Sequence, residues 1–167
     1  ARRGIVFDNA VSCSPVCTPY RASLITGLYP LRHGLCVNDV RLNTALPTVA
    51  KAFKAAGYDT GYIGKWHLDG RGRTAFTPPE RRQGFRYWKA LECTHDYNNS
   101  RFYGDAPEPR TWEGYDTIAQ TRDERVARAG FEVGRLRQRD QPGHVEAEDG
   151  FDGRGRAVAD LLQLVDG

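Results

Sequence analysis

Cys17 and Arg21 stand four residues apart in Cys17-Thr18-Pro19-Tyr20-Arg21. On a helix that spacing puts thiol and guanidinium on one face. If the helix also begins there, its free N–H groups and the positive end of its dipole join the arginine in attracting an anion. Such surroundings activate a cysteine. The same spacing also suits a buried structural thiol beside a surface arginine. It does not suit a thiolate phosphatase, which would place its arginine at Ser23 for Cys17 or at Pro19 for Cys13.

Lys65 and His67 close the segment Gly57-Tyr58-Asp59-Thr60-Gly61-Tyr62-Ile63-Gly64-Lys65-Trp66-His67. Residues two apart on an extended chain point to the same side. An ammonium next to an imidazole suits a tetrahedral oxyanion, and Gly64 lets backbone approach closely. A strand end with a solvated lysine and an ordinary histidine is the plainer alternative. A phosphate-binding P-loop is excluded, because Trp66 stands where Ser or Thr would hold magnesium.

These four residues need elements to carry them. Ile5-Val6-Phe7 reads as a short buried strand ending at Asp8-Asn9. A short helix follows, with Thr18 as its N-cap, Pro19 at its first position and Gly27 just past its end. Leu46-Pro47-Thr48 opens a second helix whose apolar face is Val49, Ala50, Phe53 and Ala56, stopped by Gly57. Tyr58 to Trp66 is then a strand, residues 69–83 are loop, and Gly114 to Thr121 starts another helix. After about residue 123 aromatic residues thin out while Arg, Gly, Asp and Glu crowd in, and only residues 157–165 look helical.

The 167 residues suit one domain, and 40% hydrophobic with 27% charged residues describes a soluble globular chain. No apolar run is long enough to span a bilayer. Twenty-four basic and 21 acidic residues, net charge +3, are too balanced for a nucleic-acid partner. Lysine is scarce among them: only Lys51, Lys54, Lys65 and Lys89. Cys13, Cys17, Cys36 and Cys93 allow two disulfides or none, and the Cys13/Cys17 pair lacks the second pair a zinc finger needs. The chain has no methionine and opens at Ala1, which reads as a processed chain or a fragment.

Together the two motifs resemble the formylglycine-dependent sulfatases of the alkaline-phosphatase superfamily. Cys17 to Gly27 is similar to that family's Cys-x-Pro-x-Arg motif running to a terminal Thr-Gly, with Tyr20 where serine is commoner. Tyr58 to His67 resembles its second motif. Tyr29-Pro30-Leu31-Arg32-His33-Gly34 and Leu46-Pro47-Thr48 also read like family sequence. The resemblance covers residues 1–122; residues 123–167 form an atypical tail, either frameshifted or poorly ordered.

The resemblance implies an α/β fold, a partial alkaline-phosphatase/sulfatase-like sheet flanked by helices, in an incomplete domain. It implies a sulfuric ester hydrolase in which Cys17, oxidised to formylglycine by a formylglycine-generating enzyme, is both nucleophile and ligand of a divalent metal. That metal is calcium, or else magnesium. Arg21 would hold the formylglycine hydroxyl, Lys65 would bind sulfate oxygens, and His67 would bind or deprotonate the diol. His95, in Thr94-His95-Asp96-Tyr97-Asn98-Asn99, either lines the substrate pocket or sits in a capped loop. Paired aspartates would precede Ala1, and further metal ligands would follow the chain, so the polypeptide alone is expected to be inactive or nearly so. The substrate would be a sulfated small molecule or glycan. Rival readings are a phosphonate monoester or phosphodiester hydrolase of the same superfamily, and a non-catalytic anion-binding remnant. The compartment stays open, leaning periplasmic or secreted over cytoplasmic.

Overall fold

The computed structural model describes residues 4–139. Its elements run α1 (Cys17–Thr26), α2 (Pro30–His33), α3 (Val49–Ala55), β1 (Gly61–Lys65), a 3-10 turn (Pro79–Arg81), β2 (Tyr87–Leu91), β3 (Arg101–Phe102), β4 (Arg110–Thr111) and α4 (Asp116–Arg139). This is a mixed α/β arrangement with two small sheets. β1 and β2 pair in parallel from Gly61 opposite Tyr87 to Lys65 opposite Leu91, and β3 and β4 pair antiparallel.

Aromatic packing holds the β1–β2 unit. Tyr62, Trp66, Phe85 and Trp88 meet at centroid separations of 4.8 to 6.0 Å, mostly edge to face. Ala22 and Ile25 of α1, with Leu35, Leu42, Ala50 and Leu68, complete that core. The core therefore sits between the helix bearing Cys17 and the strand bearing Lys65. Trp66, wholly buried, anchors the strand exit between Lys65 and His67.

The first helix starts earlier than its capping pattern predicts. Val16, in extended conformation, takes the N-cap position, and Thr18 lies within the helix. Thr18 does not cap because its hydroxyl donates to the His67 carbonyl at 2.9 Å, a tertiary bond that replaces the local one. Gly27 ends the helix as expected, at φ 70°, where a side chain would be strained.

Three other expectations need correction. Ile5, Val6 and Phe7 are no buried strand: they are 81%, 72% and 76% exposed, and among the described residues no strand lies alongside to complete their hydrogen bonds. The strand read over Tyr58 to Trp66 shortens to β1, since Tyr58 is drawn back onto the end of α3, its N–H bonded to Phe53 O and its ring edge-on to Phe53 at 5.4 Å. On α3 only Ala50 of the four apolar positions is fully buried; Ala56 is exposed. Thr48 does cap this helix, accepting from Lys51 N–H while its own hydroxyl donates to Gln83 O at 2.6 Å.

α4 begins at Asp116, close to the expected start, and continues through position 122. Asp123 ties it to the body: Lys89 Nζ lies 2.6 Å from one carboxylate oxygen and Trp112 Nε1–H donates to the other at 2.8 Å. The helix read over 157–165 lies outside the described residues.

Candidate active site

Cys17 is the first residue of α1 and only half buried, so its sulfur is reachable. Lys65, the last residue of β1, brings its ammonium to 3.6 Å from Cys17 Sγ. Gly64 just before it takes φ 115°, a bend in the strand that a side chain would resist.

Two side-chain bonds fasten α1 to the strand exit. Arg21 Nη1 donates to the Lys65 carbonyl at 2.7 Å, and Thr18 Oγ1 donates to the His67 carbonyl at 2.9 Å. The Tyr62 hydroxyl also donates to Lys65 O; burial pushes the Tyr62 phenol up to about 12. The Arg21 side chain is 8% exposed and its Nε has no partner. The i, i+4 pair thus does converge with the second motif. Part of the arginine fork, however, holds backbone.

His67 is 2% exposed, in left-handed conformation at φ 56°. Its Nε2 lies 2.8 Å from Asp39 Oδ1, and Asp39 is itself left-handed at φ 64°. Such conformations in non-glycine residues cost on the order of 1 kcal/mol each and gather at functional sites. Burial, above all, pushes the His67 imidazole below its ordinary value, with Asp39 opposing and the Lys65 and Arg21 charges adding to the fall. Arg73 donates to both Asp39 oxygens, at 3.3 and 3.1 Å. Arg73 first, and His67 second, hold the Asp39 carboxyl down at about 2.

Of the five residues singled out by sequence, Cys17 and Lys65 meet through their side chains, Arg21 bonds the Lys65 carbonyl, and His67 is joined through its own carbonyl to Thr18 while its ring turns to Asp39. His95 does not join them. It is exposed in the loop after the buried Cys93, with no side-chain bond to any of the four. The local pattern there is the short-range one, Thr94 Oγ1 with Asp96. Sequence reasoning missed Thr18 as a tertiary donor, Asn38, whose Oδ1 accepts from Thr18 N–H at 2.8 Å, and the Asp39–Arg73 pair. The adjacent polar residues Asn38-Asp39 between Val37 and Val40 were a turn signal; nothing in spacing could aim them at His67.

A divalent cation is a poor fit to these groups alone. Among the described residues no three His, Cys, Asp or Glu side chains cluster to hold one. Cys17 faces an ammonium, and the nearby Asp39 carboxylate is engaged by His67 and Arg73.

Comparison with known proteins identifies the family. The Sulfatase family profile matches residues 1–143. The chain is 54% identical over 124 residues to an ulvan-active sulfatase of Formosa agariphila, covering 74% of this chain and 24% of that protein. It is 31% identical over 138 residues to an endo-4-O-sulfatase of Bacteroides thetaiotaomicron, covering 67% and 27%. The YidJ structure from Bacteroides fragilis superimposes with a TM-score of 0.59 at 27% identity, over 83% of this chain and 34% of that one. A structure holding D-glucosamine-2-N,6-O-disulfate, described as its substrate, gives 0.53 at 32% identity, over 66% and 21%. The chain thus spans about a quarter of the length of these curated relatives.

Proposed function

We propose, from the premise that this chain belongs to the sulfatase family, that it carries the nucleophile-bearing wall of a sulfate-ester hydrolase site. Cys17 is the residue a formylglycine-generating enzyme converts, and the substrates are sulfated sugars, the class to which the disulfated D-glucosamine named for one similar structure belongs. The observation carrying this reading is the Lys65 ammonium at 3.6 Å from Cys17 Sγ, from a position 48 residues away.

Formylglycine, once formed, supplies a hydrated aldehyde whose oxygen is a nucleophile toward sulfur. The surroundings fit it: the sulfur is half buried, beside an ammonium and not sealed in apolar packing. Lys65 neutralises negative charge on the sulfuryl oxygens, which strengthens as the ester bond breaks; a preorganised charge of this kind is worth roughly a hundredfold or more in rate. Arg21 keeps Lys65 in place through the strand carbonyl and adds its positive field. His67 takes up a proton from the nucleophile. The divalent cation, calcium or magnesium, that such chemistry uses is not composed by the described residues, so no step is assigned to it.

Coexpression with a formylglycine-generating enzyme, followed by mass spectrometry of tryptic peptide 4–21, tests the reading. Cys17 losing its sulfur and gaining oxygen is the expected result. Unaltered Cys17 under conditions that convert a known substrate peptide would overturn it.

A further inference from the structure

We infer that Asp39 is a positioning residue for His67, fixing the imidazole as its Nε2–H tautomer so that Nδ1 is the ring's proton-accepting nitrogen. This deepens the reading above, resting on His67 as the residue that takes the proton.

The geometry leads there in three steps. His67 Nε2 lies 2.8 Å from Asp39 Oδ1. A carboxylate can only accept hydrogen bonds, so the ring nitrogen facing it must carry the proton. The other nitrogen, Nδ1, is buried and has no partner. In a neutral imidazole it therefore holds the lone pair, in a side chain 2% exposed whose ring cannot turn freely. When Nδ1 accepts a proton, the imidazolium keeps its Nε2–H on Asp39, which balances the new charge.

Arg73 makes Asp39 suited to this work. It donates through Nε to Oδ1 and through Nη2 to Oδ2, so the carboxylate plane is held from the solvent side while His67 binds from within. An exposed arginine–aspartate pair would need no buried histidine. Here the carboxylate spans the two environments, with Arg73 56% and His67 2% exposed at the side chain. Asp39 and His67 both sit in the left-handed region, so the backbone on each side of the bond is specially shaped to close it. A base held by a third group is the arrangement that nucleophile-activating sites use.

Nitrogen-15 spectra of the full chain labelled at histidine read the tautomer directly. The chain has four histidines, and His67→Gln identifies the signal. The expected wild-type result is that the signal lost in His67→Gln belongs to an Nε2-protonated ring with an unprotonated Nδ1. In Asp39→Asn, Arg73 should hold the amide oxygen, turn the NH2 toward Nε2, and move His67 to the Nδ1–H form. His33 is the internal standard for folding, since its Nδ1 accepts from Leu35 N–H and its Nε2 faces Ser23 Oγ at 3.0 Å; its signal should not move. A wild-type His67 that is Nδ1-protonated or averages both forms overturns the inference. So does an Asp39→Asn spectrum unchanged at His67 with His33 intact. If that variant loses the His33 signal, the wild-type spectrum decides alone. None of these outcomes bears on Cys17 conversion.

Discussion

Arg21 donates to the carbonyl oxygen of Lys65 at 2.7 Å across 44 residues of sequence. The arginine read from spacing as an anion-facing cation is thus also a clasp between α1 and the end of β1. Arg21→Ala should cost about 2 kcal/mol, the scale of losing a buried hydrogen bond from a charged donor. Urea unfolding followed by fluorescence of the buried Trp66 and Trp88 measures it. Arg21→Lys should recover little, because a lysine lacks the planar fork; full recovery would mean that only the charge matters.

Lys65 holds its ammonium 3.6 Å from the Cys17 sulfur, so inorganic sulfate should stabilise the chain through it. Sulfate at about ten times its dissociation constant raises stability by roughly 1.4 kcal/mol for a single site. Thermal melts should show this shift in the parent chain and lose it in Lys65→Ala, with chloride at matched ionic strength as control. An equal shift in the variant would place the anion elsewhere.

Glu92 predicts a pH dependence independent of the site. It is 1% exposed, and burial, opposed by N–H donors from Asp69 and Gly70, pushes its carboxyl up to about 7. The folded state therefore holds a proton that the unfolded chain releases near its ordinary value of about 4.3. Stability contributed by that proton is complete below about 4.3 and falls as pH rises toward 7. The loss is on the order of 3 kcal/mol, and Glu92→Gln, which keeps an acceptor for both N–H groups, should flatten it. Denaturation midpoints from pH 4.5 to 7.5 decide; a parallel profile in the variant would clear Glu92 of the effect.

Trp66 lies between Lys65 and His67 and is 0% exposed against Tyr62, Phe85 and Trp88. Trp66→Ala should cost about 3–5 kcal/mol, as for large aromatic truncations in a core. Because the anchor of the strand exit goes with it, sulfate stabilisation should disappear in the same variant. Retained sulfate stabilisation in a folded Trp66→Ala chain would show that the strand exit needs no such anchor.

Much of this molecule is local and therefore legible in order. Helix ends are set by residues within a turn of them, so Thr48, Gly27 and the start of α4 were readable from capping and glycine chemistry. Helix spacing put Cys17 and Arg21 on one element, but strand alternation does not carry Lys65 on to His67, because β1 ends at Lys65 and His67 is left-handed. Where a distant partner wins over a local preference, that reading fails. Thr18 abandons capping for a carbonyl 49 residues away, and Ile5-Val6-Phe7 has strand composition but no neighbouring strand among the described residues.

The amino-acid order alone marked Cys17, Arg21, Lys65 and His67 as candidates, because the two motifs that hold them, taken together, resemble those of one family. Only the folded chain decided how they are held. Asp39 and Arg73 reach His67 through left-handed backbone and packing contributed by separate segments. Those contacts depend on where loops arrive in space, and spacing along a chain does not encode that for residues joined by no regular period.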